Sequence, residues 1–109
     1  MSETSGDPSG SSSGSSGVSA MLTRTVTVPN RRGLHARAAA KFVTLAERYG
    51  ASVEVLRDGQ SVSARSIMGL MMLGAGQGST LELHAEGWDA KEAIEALAAL
   101  VEAGFHERD

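Results

Sequence analysis

The chain has 109 residues, a formal net charge of −3 at neutral pH and no cysteine. These values exclude a disulfide framework and a thiolate metal site, and they argue against a nucleic-acid binder that works through a broad basic face. No apolar run reaches the roughly 20 residues that a membrane-spanning helix needs. The composition therefore favours one small domain with a single core, located in the cytoplasm.

The first 20 residues differ in composition from the rest, because nearly all of residues 2–20 are Ser, Gly or other small or polar types. Such a stretch cannot bury enough apolar surface to offset its chain entropy, so we predict a disordered leader or linker over residues 1–20. It lacks the basic and apolar regions of a signal peptide. The folded domain is expected to span residues 21–109.

The first predicted elements are a strand and a helix. Residues 23–28 alternate and are rich in β-branched types, which indicates a strand, and residues 29–33 break it. Apolar residues then recur at helical spacing over residues 36–49, which predicts a helix with Gly50 as its C-terminal cap.

A hairpin is predicted next. Ser52–Arg57 reads as a strand, and the pair Asp58-Gly59 is a strong signal for a two-residue turn. Gln60–Ser63 should therefore return antiparallel to it.

The remaining elements complete the fold class. A short apolar helix follows Ser66 as N-cap, Thr80–Glu86 alternates as a strand, and Asp89 is expected to cap a last amphipathic helix. The order β-α-β-β-α-β-α predicts an α+β domain, with three helices on one face of a four-stranded, mainly antiparallel sheet.

One run of residues points to chemistry. In Gly33-Leu34-His35-Ala36-Arg37, a glycine turn brings a histidine to the start of an alanine-rich helix, with Arg31 and Arg32 nearby. A helix start presents unpaired N–H groups and the positive end of the helix dipole, so it suits a phosphate, and an imidazole there can accept a phosphoryl group. The alternative is a helix-capping histidine beside solvated arginines. His84 and His106 are expected to be solvated bystanders.

Two separated motifs carry a resemblance to a known family. The run from Gly33 to Arg37 is similar to the active-site signature of HPr, the histidine-containing phosphocarrier of the bacterial phosphoenolpyruvate-dependent phosphotransferase system. The run Ser66-Ile67-Met68-Gly69-Leu70 resembles the second, regulatory-serine signature of the family. One departure is Ala38, where the family usually has proline. The segments 70–73 and 99–105 resemble the nitrogen-related branch, NPr.

The resemblance implies an open-faced β-sandwich and a role for each signature residue. His35 would be phosphorylated on Nδ1, and Arg37 would neutralise the phosphoryl oxygens. Ser66 would be a regulatory target of HPr kinase/phosphorylase; its alternative role is a plain N-cap.

The short helix is more apolar than a half-exposed helix requires. Ile67, Met68 and Met71 are predicted to form a face that docks partner proteins, whereas Leu70 and Leu73 should be buried in the core.

The resemblance also implies which molecules the protein meets. The partners would be enzyme I, or its nitrogen-branch counterpart, and EIIA-type domains, in sugar transport or in nitrogen regulation. The protein would be a monomeric carrier rather than an enzyme, and it would bind no metal, cofactor, nucleic acid or membrane. The alternative is a regulatory module that binds through the same surface without phosphotransfer.

Overall fold

The computed structural model describes residues 21–108, so the predicted leader lies outside the described residues. Four strands and three α-helices follow one another in the predicted order. The elements are β1 (Leu22–Thr27), α1 (Ala36–Ala46), β2 (Ser52–Arg57), β3 (Gln60–Ser63), α2 (Ile67–Met72), β4 (Thr80–Glu86), α3 (Ala90–Glu102) and a 3₁₀ turn (Gly104–His106).

The strands form one antiparallel sheet in the order β1-β4-β2-β3. Alternation explains how β4 fits at the centre of this sheet, because Leu81, Leu83 and Ala85 are buried while the residues between them face outward. The β2–β3 hairpin closes at Asp58 and Gly59, which both have positive φ, as the predicted two-residue turn requires.

The helices cover one face of the sheet. Helix α3 packs against β1 and β4, and α1 packs against α2 and α3. The largest side chains that are fully buried between these layers are Phe42, Phe105, Leu70, Leu81, Leu83, Leu97, Val28, Val55 and Val101. The α+β class and the open-faced sandwich predicted from the sequence are confirmed.

The predicted end of α1 was wrong, whereas Asp89 occupies the predicted N-cap position of α3 but does not cap it through its side chain. Helix α1 ends at Ala46 rather than near Tyr49, and Asp89 makes no capping hydrogen bond to α3. The Asp89 carboxylate instead accepts hydrogen bonds from the N–H groups of Gly50 (2.9 Å) and Ala51 (2.8 Å). This long-range contact holds residues 50 and 51 in a turn that leads into β2, so Gly50 does not cap α1.

The tail after α3 was not predicted. It turns through three consecutive residues with positive φ, Gly104, Phe105 and His106, and the Phe105 ring is fully buried. Within residues 21–108, no helix has the length and apolar character needed to cross a membrane.

Candidate functional site

The loop before α1 is held in place by the loop that follows α2. Gly33 has a φ of +67°, and a Cβ at this position would collide with the carbonyl oxygen of Ala75. The N–H of Leu34 donates to that same oxygen at 2.8 Å. Asn30 closes the turn, since its Nδ2 donates to the carbonyl oxygen of Gly33 at 3.0 Å. The chain therefore enters α1 along a fixed path.

His35 is the N-cap residue of α1. Its backbone is extended (φ −81°, ψ −177°), and its carbonyl oxygen accepts the first helical hydrogen bond, from the N–H of Ala39 at 2.8 Å. The imidazole makes no capping hydrogen bond. The first-turn N–H groups have no partner inside a helix, so this helix start is left open to an anion.

A carboxylate from the tail lies against the histidine. Oε1 of Glu107 is 3.6 Å from Nε2 of His35 and 3.5 Å from Nη1 of Arg37, and Oε2 accepts a hydrogen bond from Nζ of Lys41 at 2.7 Å. The Glu107 side chain is only 5% exposed. The hydrogen bond from Lys41, with the positive charges of Lys41 and Arg37, holds the pKa of the Glu107 carboxyl below its usual value, although desolvation opposes the shift.

The two ring nitrogens of His35 have different surroundings. Nε2 is buried and has no hydrogen-bond partner among the described residues, and it faces Glu107. Within residues 21–108, Nδ1 also has no hydrogen-bond partner, but this atom is not buried, and the side chain as a whole is 16% exposed. Nδ1 is therefore the nitrogen that a second molecule can reach.

The second helix start, at Ser66, is closed. Ser66 is the N-cap of α2, as predicted, and its Oγ accepts a hydrogen bond from the N–H of Gly69 at 2.9 Å. The serine side chain thus satisfies one of the N–H groups that the histidine leaves open in α1.

Helix α2 has the predicted division between core and surface. Leu70 and Leu73 are buried, whereas Met68 is 75% exposed, Met71 is 45% exposed and Ile67 is 40% exposed. Met72 is also exposed, at 72%. These four residues, 67, 68, 71 and 72, form an exposed apolar patch that we call the α2 patch.

A groove runs along α1 from Arg37 to Arg48. It has a volume of ≈ 440 Å³, an apolar floor that includes Leu45 and Leu100, and basic residues at its rim. The basic residues are Arg37, Lys41, Arg48 and His106. The surface next to His35 is therefore suited to an acidic partner.

The structure brings Arg37 and His35 together, and it adds two residues that the sequence analysis missed. Lys41 follows Arg37 by four residues, so helical spacing could have placed both on one face. Glu107 gave no local signal. Of the other histidines, His106 is exposed as expected, but Nε2 of His84 is buried, 3.4 Å from Oε2 of Glu82. His84 is therefore not the solvated residue that we expected.

Comparisons with known proteins point to one family. Residues 22–103 match the family model described as "PTS HPr component phosphorylation site". The phosphocarrier protein HPr of Cupriavidus necator is 49% identical over 87 residues, which cover 80% of this chain and 98% of that protein. The phosphocarrier protein NPr of Shewanella violacea is 44% identical over 86 residues, with coverage of 79% and 94%.

A solved structure agrees in fold as well as in sequence. The crystal structure of HPr from Bacillus anthracis has a TM-score of 0.73 and 49% identity, and the match covers 75% of this chain and 98% of that one. With a matching family model, close relatives and a shared fold, the chain belongs to the HPr family of phosphocarrier proteins of the phosphotransferase system.

Proposed function

We propose that His35 is the residue that carries the phosphoryl group, that it receives the group on Nδ1 from enzyme I, and that it passes the group to an EIIA-type protein in the cytoplasm. The observation that carries this proposal is the position of His35 at an uncapped helix start, with Nε2 buried against Glu107 and Nδ1 accessible. The nucleophilic Nδ1 would therefore lie next to a helix start that attracts the phosphoryl oxygens.

The surroundings of His35 suit a phosphoryl group in three ways. The first-turn N–H groups and the positive end of the α1 dipole attract its oxygens. Arg37, whose side chain is 66% exposed, can turn its guanidinium towards those oxygens and form charge-assisted hydrogen bonds. Little other chemistry is required, because phosphoryl transfer depends mainly on positioning and electrostatics.

Two surfaces support docking of the partners. The α2 patch offers exposed methionines, which adapt to different apolar surfaces, and α1 and α2 pack against each other. The basic rim of the α1 groove complements an acidic partner and would accelerate encounter. Ile67, Met68 and Met71 are the docking residues that we propose, and Met72 joins them.

Ser66 is proposed as a regulatory phosphorylation site for HPr kinase/phosphorylase. A phosphate on Oγ would keep an oxygen that can accept from the N–H of Gly69, and a helix start tolerates its negative charge. The added charge would stand directly before the α2 patch and would repel an acidic partner. The alternative is that Ser66 only caps α2.

The test is a phosphorylation assay with phosphoenolpyruvate and purified enzyme I. We expect the wild-type protein to acquire an acid-labile, alkali-stable phosphate and His35→Ala to acquire none. His84→Ala, which removes a histidine of β4 that belongs to neither docking surface, is the matched control and should be labelled normally.

Two outcomes would overturn the proposal. Label that survives in His35→Ala would place the phosphate elsewhere. A wild-type protein that takes no label but still binds enzyme I or an EIIA-type protein would favour the binding module without phosphotransfer.

A further inference from the structure

We propose that Glu107 is a positioning residue that keeps a proton on Nε2 of His35, so that Nδ1 carries the lone pair that attacks phosphorus. The inference rests on the proposed function, which makes His35 the acceptor. It concerns the tail, whose contribution the sequence analysis did not foresee.

The conformation of the tail after α3 places Glu107 next to His35. Phe105 and His106 both have a φ of +57°, a conformation that is unfavourable for residues other than glycine. Three observed contacts hold this conformation. The Phe105 ring is fully buried, and the carbonyl oxygen of Phe105 accepts a hydrogen bond from Nζ of Lys41 at 2.9 Å. The N–H of Glu107 donates to the carbonyl oxygen of Gly104 at 3.0 Å. The carboxylate is therefore placed by packing rather than by chance contact.

The two carboxylate oxygens have separate tasks. Lys41 donates its hydrogen bond to Oε2, at 2.7 Å. Oε1 is left for His35 and Arg37, at 3.6 Å and 3.5 Å. Because the pKa of the carboxyl is held low, the group is ionised at neutral pH and can only accept hydrogen bonds.

This geometry distinguishes the two neutral forms of the imidazole. A proton on Nε2 would lie next to a carboxylate oxygen, and closing the gap of 3.6 Å by less than 1 Å would make a charge-assisted hydrogen bond. A lone pair on Nε2 would face the negative charge and would be repelled. Because the carboxylate favours a proton on Nε2, the lone pair of the neutral ring lies on Nδ1.

The same contact assists the transfer step. The Nδ1 lone pair forms the new N–P bond, while the bond from phosphorus to the donor atom of enzyme I breaks and its electron pair leaves with the donor. The proton on Nε2 stays in place, so the ring becomes a cation as the bond forms. The negative charge of Glu107 stabilises that developing positive charge, as a buried carboxylate does next to other catalytic histidines.

The test measures the proton directly. We would label the ring nitrogens of histidine with ¹⁵N and determine the tautomer of neutral His35 by NMR, in wild-type protein and in Glu107→Gln and Glu107→Ala. We expect the Nε2–H form to dominate in the wild type and the fraction of the Nδ1–H form to rise at least about threefold in both variants. Glu102→Gln is the matched control, since Glu102 lies in the same region of the chain but pairs with Arg24.

A kinetic measurement separates positioning from stability. We expect the rate of phosphoryl transfer from enzyme I to fall about tenfold in both Glu107 variants, as for other residues that orient a reacting group. Glu107→Asp keeps the charge and should retain the Nε2–H form with a smaller loss of rate. Thermal unfolding shows whether each variant is folded.

The outcomes for the two proposals are distinct. An unchanged tautomer ratio in folded Glu107→Gln and Glu107→Ala overturns the role of Glu107, even where the protein takes label. A wild-type protein that takes no label overturns the carrier proposal, whatever the tautomer ratio.

Discussion

Helices α1 and α2 both begin after a polar residue in an extended conformation, yet only α2 is closed by the side chain of that residue. Ser66 turns its hydroxyl back onto the N–H of Gly69, whereas the His35 ring makes no such bond and lies against Glu107. A helix start that is capped gains stability, and one that is left open can bind an anion. The comparison shows that the same local backbone geometry leaves a helix start closed or open according to the side chain at the N-cap.

Gly33→Ala should have the largest effect on the open helix start. The substitution places a Cβ against the Ala75 carbonyl and also disfavours the φ of +67°, so we expect a loss of about 2 kcal/mol or more in the free energy of unfolding. Gly74→Ala is the matched control, because Gly74 has a φ of +62° with no atom near the added Cβ. Chemical denaturation measures both, and equal losses would show that the close approach of the two loops is unimportant.

Arg37→Ala should weaken the open start as an anion site without unfolding the protein. Because the exposed guanidinium can turn towards the phosphoryl oxygens, we expect a transfer rate lower by about 10- to 100-fold. Arg24→Ala removes an arginine of β1 that pairs with Glu102 outside the groove, and it serves as the control. Normal transfer by Arg37→Ala would remove this residue from the mechanism.

Ser66→Ala tests the closed start. Loss of the capping hydrogen bond should lower the free energy of unfolding by about 1 kcal/mol. Ser61→Ala removes an exposed hydroxyl that caps no helix, and it should have almost no effect on stability. If the two variants are equally stable, the hydroxyl of Ser66 does not close α2.

The smallest expected effect is on the pKa of the Glu107 carboxyl, which lies next to the start of α1. Since the pKa of Glu107 is lowered in the folded state, its ion pairs stabilise the tail above the ordinary carboxyl pKa of 4.5 and are lost only as the pH falls below that value. Lys41→Ala removes the main cause, so the ¹³C titration of the Glu107 carboxyl should move towards its ordinary midpoint. An unchanged midpoint would contradict this assignment of the cause.

The parts of the fold that the sequence predicted well are those whose signals are local. The bounds of β2, β3 and β4 follow from alternation and from the turn at Asp58-Gly59, and the structure has them as predicted. The end of α1 was missed because Asp89, far along the chain, binds the N–H groups of residues 50 and 51. No local pattern in α1 contains that information.

The candidate site divides in the same way. His35 and Arg37 belong to one short motif, and Lys41 follows at helical spacing, so all three are readable from the sequence. Glu107 reaches the histidine only because two residues that are not glycine adopt positive φ, which tertiary packing enforces and local preference opposes.

The tail also bears on where this domain can be cut. A boundary taken from the family likeness would fall at residue 103, before the fully buried ring of Phe105. Removing a buried phenylalanine costs about 3–5 kcal/mol, which is comparable to the whole stability of many small domains. A fragment trimmed to that boundary would lose a side chain of the hydrophobic core together with the carboxylate beside the histidine. Binding or labelling measured on that fragment would therefore not represent the intact domain.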